Sequence, residues 1–113
     1  MIHEMRLNND PFIKIKNGTK TVELRLYDEK RKALKVGDKI IFTNIDTNEK
    51  MDVIIKGLFK ADNFNDIYAK YSKVSIGYDE EDVANPKDME EYYSIEDINK
   101  YGCLAIEVEK VLK

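Results

Sequence analysis

The sequence predicts an α+β domain, a small mixed β-barrel with helices packed around it. Three observations favour this class. Apolar and polar residues alternate with a period of two at 21–26, 39–44, 51–59 and 103–109, which is typical of strands with one face on a core. Helical patterns are inserted between these strands instead of following each one, which favours α+β over a parallel sheet. A length of 113 residues with 42% hydrophobic content suits a single domain over residues 1–113.

The first part of the chain predicts a strand at 4–7 and then a short helix. Asp10 is a suitable N-cap, and Pro11 suits the first helical position, where its missing N–H costs nothing. Gly18 can adopt the left-handed conformation that ends a helix. We therefore expect a helix that begins at Pro11 and ends before Gly18.

The segment after Gly18 predicts a strand with one apolar and one polar side. The apolar side consists of Val22, Leu24 and Leu26, and the polar side of Thr21, Glu23 and Arg25. Lys20 lies where the strand begins. A lysine there is either an ordinary surface residue beside a turn or a partly buried base or cation for a ligand. Glu23 and Arg25 either pair with each other or face a ligand.

Turn residues and periodicity predict the middle of the chain. Residues 28–32 form a charged loop, and Val36-Gly37-Asp38 forms a turn before the strand at 39–44. Asp46-Thr47-Asn48 is the tip of a hairpin whose return strand is 51–59. Gly57 in that strand indicates a bulge or a bend at a barrel corner.

The last part of the chain predicts three helices and a closing strand. The first helix covers 63–71 with Asn63 as its cap, and an irregular acidic stretch follows at 72–85. Pro86 begins a short helix that ends at Tyr92. Ser94 caps the last helix, and the closing strand covers 103–109.

Charge is distributed unevenly along the chain. The net charge is −3, which argues against a general nucleic-acid binder that relies on counterion release. Residues 1–60 carry 13 basic and 9 acidic residues, a net +4, whereas residues 61–113 carry 6 and 13, a net −7. A basic face around Lys20 and Arg25 suits a small anionic ligand or a short single strand. Ordinary solvated charges explain the same distribution equally well.

The composition also bears on location and cofactors. No apolar run approaches the roughly 18 residues of a membrane-spanning helix, and residues 1–10 lack a signal-peptide pattern. We therefore expect a cytoplasmic protein that does not associate with membranes. The single Cys103 predicts a buried, inert thiol, and His3 predicts an exposed side chain. The acidic run at 79–82 is typical of a solvated loop, so no metal or cofactor is expected.

Two stretches match the pattern of a known family. The first is Pro11-Phe12-x-x-Ile15-Lys16-x-Gly18-x-Lys20-Thr21-x-Glu23-x-Arg25, followed by Val36-Gly37-Asp38-x-Ile40-x-Phe42. The second runs from Tyr92-Tyr93-Ser94 through Tyr101-Gly102 to Leu104-Ala105-Ile106-Glu107. Together they resemble the ASCH family (activating signal cointegrator homology) over nearly the whole chain. The resemblance implies a PUA-like β-barrel with a cleft associated with RNA or modified nucleosides.

The resemblance also implies candidate roles for individual residues. Some relatives are amidohydrolases that remove the acetyl group of N4-acetylcytidine with a lysine, a threonine and a glutamate. Lys20 matches their lysine and Arg25 matches their arginine, but Glu23 stands where they have the threonine. Their glutamate lies after the long middle helix, and Glu80 is only a candidate for it.

Three hypotheses follow. The leading one is a domain that binds RNA or a modified nucleoside in a cleft beside the Gly-x-Lys-Thr-x-Glu-x-Arg strand. Lys20, Thr21, Glu23 and Arg25 line that cleft, and Tyr27 and Tyr78 add stacking surface. The alternative is an amidohydrolase acting on N4-acetylcytidine-like substrates, in which Lys20 is the catalytic base and Glu23 its catalytic partner. The third is a protein-interaction module.

The position of Lys20, just after the predicted end of the first helix, predicts how its side chain is exposed. Its side chain is expected to be free of the core. Its replacement by alanine is therefore expected to cost no more than about 0.5 kcal/mol of stability, as for an ordinary surface residue.

Overall fold

The computed structural model describes residues 1–111. Within them, five strands form one sheet. They are β1 (Ile2–Leu7), β2 (Val22–Leu26), β3 (Lys39–Asn44), β4 (Lys50–Ala61) and β5 (Cys103–Lys110). Their order in the sheet is β1-β3-β4-β5-β2, in which β1 and β3 are parallel and the other neighbours antiparallel. The sheet curls into a half-barrel with β1 and β2 as its edges, and this mixed architecture confirms the predicted fold class.

Helical segments connect these strands. They are α1 (Asn9–Lys16), α2 (Glu29–Lys32), α3 (Phe64–Lys70), a 3-10 helix (Pro86–Glu91) and α4 (Ile95–Tyr101). Two predicted caps are confirmed, since Asn63 accepts a hydrogen bond from the Asp66 N–H at 3.2 Å and Ser94 accepts one from the Asp97 N–H at 3.1 Å. These caps satisfy N–H groups that have no partner inside the helix.

Two predictions about the first helices are wrong. Helix α1 begins at Asn9, so Asp10 lies inside its first turn and pairs with Lys14 at 3.2 Å instead of capping it. Residues 29–32, predicted as part of a loop, form a one-turn helix. Asp28 caps that turn, because its side chain accepts a hydrogen bond from the Arg31 N–H at 3.1 Å.

The core consists of two apolar clusters, one on each face of the sheet. Phe12 and Ile15 of α1 pack on one face, in a cluster with Leu104 and Ile106 of β5. The other face packs against Phe64 and Ile67 of α3 and Ile98 of α4. The apolar side of β2 belongs to this second cluster and consists of Val22, Leu24 and Leu26.

The polar side of β2 consequently faces the α1 cluster. Glu23 is paired with Ile106 and Arg25 with Leu104, and both partners belong to that cluster. Cross-strand partners point to the same side of a sheet. Glu23 and Arg25 therefore point to the side on which α1 packs.

A bulge lies in the middle of β4, as Gly57 predicted. The pairing with β5 shifts between Ile55 and Gly57, and Gly57 lies opposite Glu107. A Cβ atom on Gly57 would lie 2.8 Å from Glu107 Oε1. Tyr71 donates a hydrogen bond to Glu107 Oε2 at 2.7 Å and so holds that carboxylate close to the glycine.

Of the predictions for the single cysteine and the single histidine, the first is confirmed and the second is wrong. Cys103 is fully buried, as expected, and burial raises the pKa of its thiol to about 12. The prediction for His3 is wrong, because its side chain is only 10% exposed and its Nε2 lies 2.8 Å from Asp38 Oδ2. Pairing of β1 with β3 brings His3 beside the turn that precedes β3. Within residues 1–111, no helix is long and apolar enough to cross a membrane.

Candidate functional site

The predicted site residues meet at a buried carboxylate. Glu23 Oε1 accepts a hydrogen bond from Lys20 Nζ at 2.8 Å, and Oε2 accepts one from Arg25 Nε at 2.7 Å. The three side chains are 6%, 10% and 14% exposed, in the order Glu23, Lys20, Arg25. One carboxylate is thus shared by two cations at the edge of the half-barrel.

The local structure explains why Lys20 reaches Glu23. Gly18 has a φ of 87° and reverses the chain after α1, and the Lys20 N–H donates to the Lys14 carbonyl at 3.0 Å. The N–H groups of Thr21 and Val22 both donate to the Ser75 carbonyl. Lys20 is therefore held between the end of α1 and the start of β2. Its expected freedom from the core is wrong, because its side chain is buried and ion-paired.

The surroundings of Glu23 determine its charge. Burial alone would raise the pKa of the Glu23 carboxyl. The positive charges of Lys20 and Arg25, together with their hydrogen bonds, outweigh this effect and lower the pKa below its ordinary value. Glu23 is consequently ionised at neutral pH.

Arg25 also joins the two edge strands. Its Nη2 donates a hydrogen bond to the Arg6 carbonyl of β1 at 2.9 Å. This bond spans the gap between β1 and β2, which are not neighbours in the sheet. Arg25 therefore binds Glu23 with one part of its guanidinium and β1 with another.

A cavity of about 460 Å³ opens above these residues, and we call it the tyrosine cavity. Lys20, Glu23 and Arg25 lie along one side of it. Its lining includes four tyrosines, namely Tyr68, Tyr78, Tyr92 and Tyr93. The end of β1 and the start of α1 line another side, with Arg6, Leu7, Asn8, Asp10 and Pro11. The volume lies within the range of small-molecule sites, about 300–1,000 Å³.

The tyrosines differ in how firmly they are held. Tyr78 donates to Asp88 at 2.6 Å, and its hydroxyl lies 2.9 Å from that of Tyr68. Tyr93 stacks on Phe64 with a centroid distance of 6.2 Å. Tyr92 is 64% exposed, which leaves its ring free to contact a ligand. The cavity thus combines fixed aromatic walls with one exposed ring.

A loop from α3 to the 3-10 helix covers Lys20. Gly77 has a φ of 115°, and a Cβ atom there would lie 3.3 Å from Lys20 Cδ. Lys14 Nζ donates to the Gly77 carbonyl at 2.8 Å and pairs with Asp79 at 3.3 Å. Lys14 therefore fixes the loop, and Gly77 allows it to lie directly on the Lys20 side chain.

Not every predicted residue reaches the cavity. Thr21 is exposed and does not belong to the lining, and Glu80 is exposed in the acidic loop. Of the two tyrosines predicted to stack, Tyr78 lines the cavity and Tyr27 does not. Tyr27 packs against the core, with Lys60 Nζ 4.8 Å from its ring centroid. Lys20, Glu23 and Arg25 are thus brought together, whereas Thr21 and Glu80 are not.

The charges around the tyrosine cavity nearly cancel. Three cations line it, Arg6, Lys20 and Arg25. Four carboxylates also line it, Asp10, Glu23, Asp88 and Glu91. This balance suits an uncharged ring better than a phosphate. Within residues 1–111, no group of three or more histidine, cysteine or acidic side chains is placed to hold a metal ion.

Comparison with known proteins places this site in context. The family model of the ASCH domain matches residues 5–112. A hypothetical protein designated PH0355, with a crystal structure, is 32% identical, and the alignment covers 98% of this chain and 100% of that chain with a TM-score of 0.83. Protein PF0455 from Pyrococcus furiosus, with a solution NMR structure, is 30% identical over 100% of both chains, with a TM-score of 0.75.

More distant structures share the fold. A mutant ASCH protein from Zymomonas mobilis is 13% identical, with a TM-score of 0.69 over 96% of this chain and 70% of that chain. The ASCH domain from Lactobacillus crispatus JV V101 is 14% identical, with a TM-score of 0.67 over 96% of this chain and 79% of that chain. No curated protein matches the chain.

Proposed function

Because the chain belongs to the ASCH domain family, we propose that it binds a modified nucleoside, free or within RNA, in the tyrosine cavity beside Lys20, Glu23 and Arg25. The PUA-like fold of the family supports an RNA-related ligand. A volume of about 460 Å³ accommodates a ligand of nucleoside size. The proposal includes a cytoplasmic location.

The buried group of Lys20, Glu23 and Arg25 is the observation that carries the proposal. In order, these side chains present a donor, an acceptor and a donor. Each Glu23 oxygen accepts one hydrogen bond and retains capacity for another, and Arg25 Nη1 is not used by the bonds to Glu23 and Arg6. Such a row fits the edge of a base that presents an acceptor, a donor and an acceptor.

This pattern distinguishes pyrimidines. The Watson–Crick edge of uridine presents O4, N3–H and O2, which is acceptor, donor, acceptor. N4-acetylcytidine keeps the cytidine order on this edge, N4–H, N3 and O2, because its amide oxygen points away from its N4–H. Unmodified cytidine presents a donor followed by two acceptors and leaves buried polar groups without partners. The cavity is therefore expected to prefer a uridine-like edge over a cytidine-like one.

The tyrosines supply the remaining contact. Stacking of a base on an aromatic side chain contributes about 1–3 kcal/mol. Tyr92 is exposed and belongs to the cavity lining, so its ring is available to a bound base. A base held at its edge by Glu23 and on its face by a tyrosine has a defined orientation.

The same geometry favours binding over amide hydrolysis. Lys20 forms a 2.8 Å ion pair with Glu23, so its ammonium has to lose a proton before it acts as a base. The nearest acceptor is Glu23, whose lowered pKa makes it a poor one. Hydrolysis of an acylated cytidine with Lys20 as base remains the alternative function.

Calorimetric titration with uridine, N4-acetylcytidine and cytidine tests the proposal. We expect uridine to bind at least about tenfold more tightly than cytidine or N4-acetylcytidine, because each mispaired buried group costs about 1–3 kcal/mol. Glu23→Gln should lose at least that factor, whereas Lys20→Arg keeps the charge and should retain part of the affinity. The matched control Lys100→Gln removes an exposed charge outside the cavity and should bind like the wild type.

Several outcomes would contradict the proposal. They are failure of all three nucleosides to bind, equal affinities for uridine and cytidine, or an unchanged affinity for uridine in Glu23→Gln. The alternative function, hydrolysis, is tested by chromatography of N4-acetylcytidine that has been incubated with the wild type. Conversion to cytidine and acetate that is lost in Lys20→Arg would establish the hydrolase.

A further inference from the structure

We propose that a basic groove next to the tyrosine cavity binds the phosphates of a single-stranded nucleic acid, so that the ligand is a nucleotide within a strand instead of a free nucleoside. The groove has a volume of about 580 Å³ and is lined by five cations, Arg6, Arg25, Lys30, Arg31 and Lys50. Glu4 is the single carboxylate in its lining. The position of the base in this proposal rests on the proposed function of the cavity.

Within the described residues, two of the five groove cations form ion pairs and three do not. Arg25 and Arg31 pair with Glu23 and Asp28, at 2.7 and 3.1 Å. Within residues 1–111, Arg6, Lys30 and Lys50 form no ion pair with a carboxylate. Like charges gathered on one surface repel each other, and an anionic ligand removes that repulsion. A polyanion is the ligand that such a surface attracts most strongly.

The groove is built on rigid elements. Arg6 is aligned with Thr43 of β3, and Thr43 is aligned with Lys50 of β4. These three side chains therefore stand in one row across three hydrogen-bonded strands. Lys50 Nζ donates to Thr43 Oγ1 at 3.0 Å, which holds the ammonium on the sheet. Lys30 and Arg31 reach the groove from α2, so both the sheet and a helix contribute to it.

Arg31 offers a second sign of an unfilled site. Its Nε is buried and makes no hydrogen bond to any residue of the described chain. Buried N–H groups without a partner are uncommon in folded proteins. A phosphate oxygen in this groove can accept from it once the Arg31 side chain shifts on binding, since the Nε atom itself is not open to the groove.

The groove and the tyrosine cavity adjoin each other and share two lining residues. Arg6 and Arg25 line both. The cavity carries three cations against four carboxylates, whereas the groove carries five against one. Adjacent sites of these two kinds match a nucleotide, whose base is neutral and whose phosphate is charged. This adjacency favours a nucleic acid over an acidic peptide, which has no planar ring to place in the cavity.

Fluorescence anisotropy with a labelled short oligouridylate tests the inference, with uridine as the phosphate-free reference. The groove variant is Lys30→Gln combined with Lys50→Gln, since neither lysine lines the cavity. The control variant is Lys100→Gln combined with Lys110→Gln, which removes the same charge from exposed positions outside both sites. We expect the groove variant to bind oligouridylate about tenfold more weakly and the control variant to bind it like the wild type.

Salt dependence gives an independent measurement. Each phosphate contact on a single strand contributes about −0.7 to the slope of log affinity against log salt, so loss of two contacts should flatten that slope by about 1.4. A deoxyoligonucleotide of the same sequence shows whether the groove distinguishes RNA from DNA. A polyglutamate peptide that competes as well as the oligonucleotide would overturn the inference.

The outcomes separate this inference from the proposed function. If uridine binds but the oligouridylate binds no more tightly, or if the groove variant binds it normally, the groove inference fails and the cavity proposal stands. If the oligouridylate binds through the groove while uridine does not bind and Glu23→Gln has no effect, the cavity proposal fails. Absence of any oligonucleotide binding overturns the groove inference.

Discussion

At the scale of single residues, the site depends on one buried carboxylate shared by two cations. Taking a charge out of water costs several kcal/mol, and a buried ion pair recovers this only with good geometry and hydrogen bonds. Glu23 meets both conditions, since each of its oxygens accepts a hydrogen bond from a cation within 2.8 Å. Removal of one cation leaves the other partners buried and incompletely neutralised.

Lys20→Ala is therefore expected to lower the free energy of unfolding by about 3 kcal/mol, the low end for breaking a buried pair, because Arg25 still neutralises Glu23. Urea unfolding measures this loss. The matched control Lys30→Ala removes an exposed lysine that has no ion pair within residues 1–111 and should stay within about 0.5 kcal/mol of the wild type. A loss below about 1 kcal/mol for Lys20→Ala would contradict the buried pair.

Glu23 also predicts a pH dependence. Its pKa is lowered in the folded protein relative to the ordinary value of 4.5, so its contribution to stability is fully present above that value. This contribution is lost as the pH falls through the folded-state pKa. We expect the difference in unfolding free energy between the wild type and Glu23→Gln to shrink as the pH is lowered below 4.5.

Other acidic groups do not obscure this measurement. The hydrogen bond from His3, opposed by burial, lowers the pKa of Asp38. Because Asp38 titrates in both the wild type and Glu23→Gln, its contribution cancels in the difference between their unfolding free energies. Unfolding curves of the wild type and Glu23→Gln that stay parallel at all pH values would show that Glu23 is not held ionised by its neighbours.

Sequence patterns predicted how two residues of the candidate site are grouped on one strand, but not that the site residues are buried. Alternation along β2 correctly grouped Glu23 and Arg25 on one side of the strand. The burial of Lys20 depends on the loop around Gly77, which lies more than fifty residues further along the chain. Helix caps depend on local sequence, and they were predicted correctly at Asn63 and Ser94. The prediction of Asp10 as a cap was wrong because α1 begins before it.

At the scale of elements, the bulge in β4 determines how the sheet bends. The register shift between Ile55 and Gly57 lets β4 continue for 12 residues and pair with β3 in its first half and β5 over most of its length. A side chain at Gly57 would displace the Glu107 carboxylate, which Tyr71 holds by a hydrogen bond. Burial and the Glu107 carboxylate raise the pKa of Tyr71, so its hydroxyl keeps the proton that it donates.

Gly57→Ala is expected to cost about 1 kcal/mol, because the displaced Glu107 carboxylate loses its hydrogen bond with Tyr71. In the Glu107→Ala background the added methyl group meets no carboxylate, so the cost should largely disappear. Thermal unfolding of the four proteins of this double-mutant cycle measures the coupling, expected at about 1 kcal/mol. Additive effects would show that Glu107 does not limit the space at Gly57.

At the scale of the whole molecule, the half-barrel is closed on one side by a side chain instead of a strand ladder. The two edges, β1 and β2, are joined by the hydrogen bond from Arg25 to the Arg6 carbonyl. The tyrosine cavity and the basic groove meet at this seam. The seam therefore links the stability of β1 to the integrity of both sites.

Arg25→Lys is expected to keep the charge beside Glu23 and to lose the bond to β1. A hydrogen bond from a charged donor contributes about 1.5–3 kcal/mol, so amide exchange in Ile2–Leu7 should accelerate by about tenfold or more. Hydrogen-exchange mass spectrometry measures this change. The matched control Arg31→Lys alters a guanidinium that pairs with Asp28 and should leave exchange in β1 unchanged.

The residues that surround the cavity were mostly beyond prediction from the sequence. Tyr92 and Tyr93 lie in a family motif but carry no local signal for a cavity, and Arg6 lies in a strand distant from β2 along the chain. They meet because β1 and β2 are brought to the two edges of one curled sheet. Strand alternation predicts faces, whereas the order of strands depends on packing across the whole chain.

The place of β5 in the sheet has a consequence for synthesis on the ribosome. Translation delivers β2 early and β5 late, yet β5 is the strand that pairs with β2 and separates it from β4. Until Lys110 has left the exit tunnel, Glu23 and Arg25 belong to a segment without its neighbour. The nascent chain can fold its β1-β3-β4 portion first, but its candidate site is completed only at the close of translation of this domain.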